Sequence, residues 1–215
     1  MKKTKQTRIY SVLEEVSHSV THGIGALLSV AALVILVVFA SYQKDILKIV
    51  SFSIYGASLF LLYLASTLYH SLAFTKAKNV FERIDHSMVY LLIAGTYTPI
   101  LLVGLKNTLG WILFGIIWAL AILGVVFKNI FFEKRNFFST MLYVLMGWLI
   151  VFAIKPILTT LPNGIFTWIL GGGLSYTIGV VFYLWRKQKY AHFIWHLFVL
   201  GGSVLHFFGI LLYLI

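Results

Sequence analysis

His192 and His196 stand four residues apart, and so do His18 and His22. On a helix that spacing stacks two imidazoles on one face. Ser66 and His70 repeat it with a hydroxyl in place of one ring. Two imidazoles from one helix and a third from another make a three-nitrogen site. Such a site leaves the fourth tetrahedral position to water, as catalytic zinc centres do. Zinc brings the pKa of its bound water to about 7, and a carboxylate beside that water could take its proton; Asp85 is the candidate. Iron and nickel suit three nitrogens as well, and a hydrogen-bonded histidine network without any ion is the alternative reading. The chain has no cysteine, so thiolate ligands, a thiol nucleophile and disulfides are all excluded.

These groups sit in a chain of 215 residues that is 60% apolar and only 11% charged, with a mean hydropathy of +0.95. An ordinary soluble domain is excluded. Apolar runs of about 20 residues recur, each able to cross roughly 30 Å of hydrocarbon. Seven transmembrane helices are expected, at Ser19–Ala40, Lys48–His70, Asp85–Gly104, Thr108–Phe127, Phe138–Ile154, Gly164–Trp185 and Ala191–Leu214. The runs are apolar all round rather than alternating, which favours helices over a membrane barrel. The expected fold class is therefore an all-α membrane protein, a seven-transmembrane-helix bundle. Residues 1–18 form its tail and 19–215 its single domain. The polar opening stretch argues against a cleavable signal peptide. Pro99 falls inside the third span, where neighbouring helices can satisfy the freed carbonyl. Gly171, Gly172, Gly173, Gly201 and Gly202 read as close-packing positions.

Charge sets the direction. Lys2, Lys3, Lys5 and Arg8 precede the first span; Lys76, Lys78 and Arg83 follow the second. Lys128, Lys134 and Arg135 follow the fourth, and Arg186, Lys187 and Lys189 follow the sixth. The other side has only Lys44, Lys48, Lys106 and Lys155. The positive-inside rule then puts the N-terminus in the cytoplasm and the C-terminus outside. Because the basic residues sit in short loops, the net charge of +11 speaks for membrane orientation and against a nucleic-acid partner. Depth follows from direction. Glu14, Glu15, His18 and His22 open the first helix, Ser66 and His70 close the second, Asp85 and His86 open the third, and His192 and His196 open the seventh. All lie at the cytoplasmic leaflet, where ionisable groups need partners and usually a function. His70, His192 and His196 are the candidate ligands and Asp85 and Ser66 the candidate catalytic groups. Glu15, His18, His22 and His86 form a supporting shell. His206 lies about 15 Å beyond His196, too deep to join, and reads as an isolated, hydrogen-bonded, snorkelling histidine.

Glu15-x2-His18-x3-His22, Ser66-x3-His70 with Asp85, and His192-x3-His196 resemble the three motifs of the progestin and adipoQ receptor family. The likeness is greater to its bacterial branch, haemolysin III. It extends through THGIG at Thr21–Gly25, STLYHS at Ser66–Ser71, RIDHSMVYLLIAGTYTP at Arg83–Pro99 and FIWHLFVLGGS at Phe193–Ser203. The resemblance implies an inverted seven-helix fold and one Zn2+ per chain. It assigns the ion to His70, His192 and His196, with Asp85 contacting it through water and Ser66 nearby. One departure stands out: His18 replaces an asparagine of the first motif. Similarity to alkaline ceramidases implies amide cleavage in a sphingolipid-like substrate. The expected function is thus a zinc-dependent lipid hydrolase in the cell membrane. A non-enzymatic sensor of membrane state with structural zinc, and a cytolytic membrane protein, are the competing expectations.

Overall fold

The computed structural model describes residues 10–130, 136–185 and 187–215. Lys2, Lys3, Lys5, Arg8, Lys134, Arg135 and Arg186, which enter the charge argument, lie outside the described residues. Among the described residues, seven helices are long and apolar enough to cross a membrane. Leu27, Ile122 and Phe152 are among many large apolar side chains on the outer surface. In water such a surface would drive aggregation; in lipid it is the ordinary exterior.

Helix α1 (Val12–Tyr42) starts seven residues before the apolar run, because Ser11 and Glu14 form a capping box. The extra turns place Glu14, Glu15, His18 and His22 on one buried face of a single helix. Helix α2 (Ile46–Ser71) is capped by Asp45 and ends just past His70. Helix α3 (Lys78–Pro99) also begins earlier than hydropathy suggests, and carries Lys78 in its first turn. After Pro99 the third span continues as a π-helical turn, Ile100–Leu105. Helix α4 (Thr108–Ile130) makes the fourth span. Lys128, counted above as a loop charge, is instead in its last turn and 2% exposed.

The fifth span is broken. Helix α5 (Asn136–Gly147) passes through a 3-10 segment, Trp148–Ala153, into helix α6 (Ile154–Thr160). Tyr97 of α3 stitches this break. Its hydroxyl hydrogen is shared between the carbonyls of Met146 (3.0 Å) and Gly147 (2.8 Å), and its oxygen accepts from Ile150 N (2.8 Å). A backbone that departs from the α-helix at membrane depth survives where protein satisfies it in this way. Helices α7 (Ile165–Leu184) and α8 (Ala191–Leu214) complete the bundle.

Close approach of α1 to α2, α2 to α3 and α7 to α8 forms the core. At Gly25 an added Cβ would lie 2.6 Å from the Tyr63 ring, so only glycine admits that aromatic. Buried hydroxyls are paired across helices: Tyr63 donates to Ser203 Oγ at 2.7 Å, and Tyr176 meets the same oxygen at 2.8 Å. This packing fixes where the starts of α1, α3 and α8 and the end of α2 meet.

Candidate metal centre

Three of the four histidine-bearing helices, α1, α2 and α8, bring ligand atoms of His18, His70 and His192 within 4.8 Å of one another. His18 and His70 are almost fully buried, while His192 is half-buried. His196 stands one turn deeper. Its ring centroid is 4.7 Å from that of His192, 5.0 Å from His70 and 5.1 Å from His18. Four imidazoles thus surround one centre. His18, which the sequence reading placed in the supporting shell, lies in the compact trio with His70 and His192. His196, read as a ligand, borders that trio and stacks on His22 at 3.6 Å with planes 10° apart.

Second partners set which nitrogens face the centre. Glu15 Oε2 accepts from His70 Nδ1 at 2.6 Å. An ionised carboxylate can only accept, so Nδ1 carries the hydrogen and the His70 Nε2 lone pair is left for something else. Lys78 Nζ holds the other carboxylate oxygen at 2.9 Å. Carboxylate–histidine pairs of this kind orient and strengthen metal-binding imidazoles. Glu14 serves geometry instead: its Oε1 accepts from Tyr190 N at 3.3 Å, tying the segment before α8 to α1. That contact positions His192, two residues on.

The nitrogens that remain test whether an ion fits. His70 Nε2, His196 Nδ1 and both ring nitrogens of His18 are buried and make no hydrogen bond. The Nδ1 of His18 lies 3.9 Å from Glu15 Oε2. Each orphaned buried nitrogen costs on the order of 1–3 kcal/mol. A neutral imidazole keeps one lone pair, and ligand atoms of His18, His70 and His192 lie close enough for one cation to relieve such groups. The group could hold a metal ion, and the donor set is chemically suited to one.

Asp85 and Ser66 lie beside the cluster. The Ser66 hydroxyl meets His22 Nδ1 at 2.7 Å and hydrogen-bonds the Asp85 carboxyl. The charge of buried Lys128 bears on Asp85 as well. His86, at the start of α3, sits at 3.4 Å from the Tyr183 hydroxyl through Nε2, and its carbonyl accepts from Tyr143. Tyr10 covers the outer side, its ring 5.0 Å from His18 and 5.4 Å from His192. Sequence reasoning missed Lys78, Tyr10, Tyr143 and Tyr183. A lysine counted as a loop charge and single tyrosines in aromatic-rich spans carry no spacing signal.

From this polar mouth a cavity of about 210 Å³ runs between α3, α5, α7 and α8. His22, Ser66, Asp85, His192 and His196 line the mouth; Leu92, Ile93, Ile150 and Val199 are typical of the wall. His206 also lines the cavity, ten residues along α8 from His196. It is 9% exposed and its Nε2 donates to the Ile169 carbonyl at 3.1 Å, so it is inside the protein rather than snorkelling.

Comparison with known proteins agrees with this architecture. Residues 10–207 match the family described as haemolysin-III related. The chain is 49% identical over 214 residues to Hemolysin-3 of Bacillus cereus, covering 100% of this chain and 97% of that protein. It is 48% identical over 205 residues to the Hemolysin-3 homolog of Bacillus subtilis, covering 95% and 96%. It is 29% identical over 215 residues to the human Monocyte to macrophage differentiation factor, covering 94% and 84%. Likeness along nearly the whole chain and seven membrane-spanning helices lead to one conclusion: the chain belongs to the haemolysin-III-related family of multi-pass membrane proteins.

Proposed function

We propose that this protein is a zinc-dependent hydrolase that cleaves an amide bond in a membrane lipid, in the manner of a ceramidase. The observation that carries the reading is the placement of the histidine cluster, Asp85 and Ser66 at the polar mouth of an apolar cavity. His70, His192 and His196, with His18 beside them, would hold the ion. When bound, zinc supplies a polarised carbonyl and an ionised water near neutral pH.

The chain's own residues do the rest. Ser66 donates to Asp85 and accepts from His22, so the carboxylate is aimed at the mouth. Asp85 takes the proton of the attacking water and returns it to the leaving amine. The acyl chain lies along the apolar wall, which keeps bulk water from the scissile bond. The excess of Lys and Arg on the side of this mouth supports a position at the cytoplasmic leaflet of the cell membrane.

The test uses the full chain in detergent, loaded with zinc and given a fluorescent short-chain ceramide. Fatty acid release is expected, and Asp85→Asn should retain the ion while cutting turnover by roughly 100-fold or more. Release at the parental rate from that variant would overturn the reading.

A second reading is favoured by the fact that His18, His70 and His192 come from three different helices. An ion there would staple α1, α2 and α8 in a non-enzymatic sensor of membrane state. In that case His192→Ala would collapse thermal stability and no lipid would be consumed. The name of the Bacillus cereus relative suggests cytolysis. Leakage from liposomes treated with pure protein measures that directly, and intact liposomes would remove it.

A further inference from the structure

We infer that His206 is a recognition site for a hydroxyl group carried partway along the lipid chain that enters the cavity. The inference rests on the reading that this cavity holds an acyl chain. It does not require that the protein be catalytic or that a metal be bound.

Among the described residues, His206 is the one histidine that lines the cavity away from the histidine cluster. Its Nε2 faces the Ile169 carbonyl oxygen at 3.1 Å. A carbonyl only accepts, so Nε2 carries the hydrogen. In the neutral ring the other nitrogen, Nδ1, then holds a lone pair and only accepts. That nitrogen is buried and has no hydrogen-bond partner. The hydroxyls nearest in sequence and ring contact are already engaged. Ser203 is shared by Tyr63 at 2.7 Å and Tyr176 at 2.8 Å, and the Tyr176 ring lies 5.5 Å from His206.

The fold also makes room for this ring. A Cβ at Gly172 would collide with the His206 ring atoms, so α7 is hollowed there. An unpartnered acceptor on a ring that borders a largely apolar cavity calls for a neutral donor, because a charged one would pay heavily for desolvation at this depth. A hydroxyl is that donor. The ten residues from His196 to His206 span about 15 Å, roughly a dozen extended methylenes from a head group at the cluster. The chemical class is therefore a long-chain lipid hydroxylated near the middle of its acyl chain.

Trp148 and Trp195 line the cavity, so binding can be followed by tryptophan fluorescence of the full chain in detergent. The probes are octadecanoic acid and octadecanoic acid bearing a hydroxyl at its twelfth carbon. The quantity read is the ratio of their dissociation constants within each protein, which cancels general effects of a substitution. The parental chain should prefer the hydroxylated acid. His206→Phe should lower that preference by about five- to tenfold, the worth of one buried hydrogen bond. Gly172→Ala should lower it too, by displacing the ring while leaving the histidine in place. Moving the hydroxyl to the second carbon should make the ratio indifferent to residue 206. An unchanged ratio in both variants overturns the hydroxyl site while leaving the acyl-chain cavity standing. Failure of both acids to bind overturns the cavity reading and the hydroxyl site with it.

Discussion

Replacing Glu15 by glutamine removes one negative charge from a residue 3% exposed and otherwise keeps its shape. Two donors lose a charged acceptor, His70 Nδ1 at 2.6 Å and Lys78 Nζ at 2.9 Å. Hydrogen bonds to a charged group contribute about 1.5–3 kcal/mol, against about 0.5–1.5 for neutral ones. The His70 bond therefore weakens by roughly 1 kcal/mol or more. The amide can also present its NH2 to Nδ1, which would favour the tautomer that puts the hydrogen on Nε2, away from metal binding. Loss of such an orienting partner typically lowers metal affinity by about 10- to 100-fold. Lys78 is 28% exposed, so its ion pair is partly screened and Lys78→Met should cost only about threefold. Competition between the purified protein and a chromophoric zinc chelator measures both variants. Glu15→Gln binding zinc within twofold of the parent, or Lys78→Met losing more than Glu15→Gln, would refute the claim that Glu15 sets the His70 tautomer.

Two further substitutions test the scaffold. Ser203→Ala strips the shared partner from the Tyr63 and Tyr176 hydroxyls; buried hydrogen bonds between membrane helices suggest a loss of about 0.6–1.7 kcal/mol, read by thermal unfolding in detergent. Tyr97→Phe frees the carbonyls of Met146 and Gly147 and the N–H of Ile150. Amide exchange through residues 148–153 should then quicken by about tenfold while α1 and α2 are unaffected.

The number and order of spans were legible because a membrane helix is apolar on every side, and no neighbouring element must be known to find it. Where a helix continues beyond its apolar run, hydropathy gives no sign. The first span begins at Val12 through its capping box and the third at Lys78, both ahead of the expected Ser19 and Asp85. The broken fifth span was invisible for another reason. Its stability depends on Tyr97, which is fifty residues away and reads as one more aromatic. Expectation ended that span at Ile154, just before Lys155 and Pro156, whereas the helix carries both and runs to Thr160.

At the site, fourfold spacing found the paired histidines, and loop charge gathered them at one leaflet. Neither could rank them by distance. His18 enters the compact trio because α1 packs on α2 with Glu15, His18 and His22 on the shared face. The reach of Lys78 across 63 residues to Glu15 likewise exists only once α3 is docked. Lys128 looked like an orienting loop charge, yet it is buried and acts on Asp85.

Metal content is the most direct check on the claim that these imidazoles form a metal centre. Full-length protein, purified in detergent and dialysed after exposure to zinc, should carry about one ion per chain by elemental mass spectrometry. A variant with His70 and His192 both changed to leucine, expressed and folded to the same level, should carry almost none. A folded parental chain that retains no ion, or a variant that retains it undiminished, would contradict the centre.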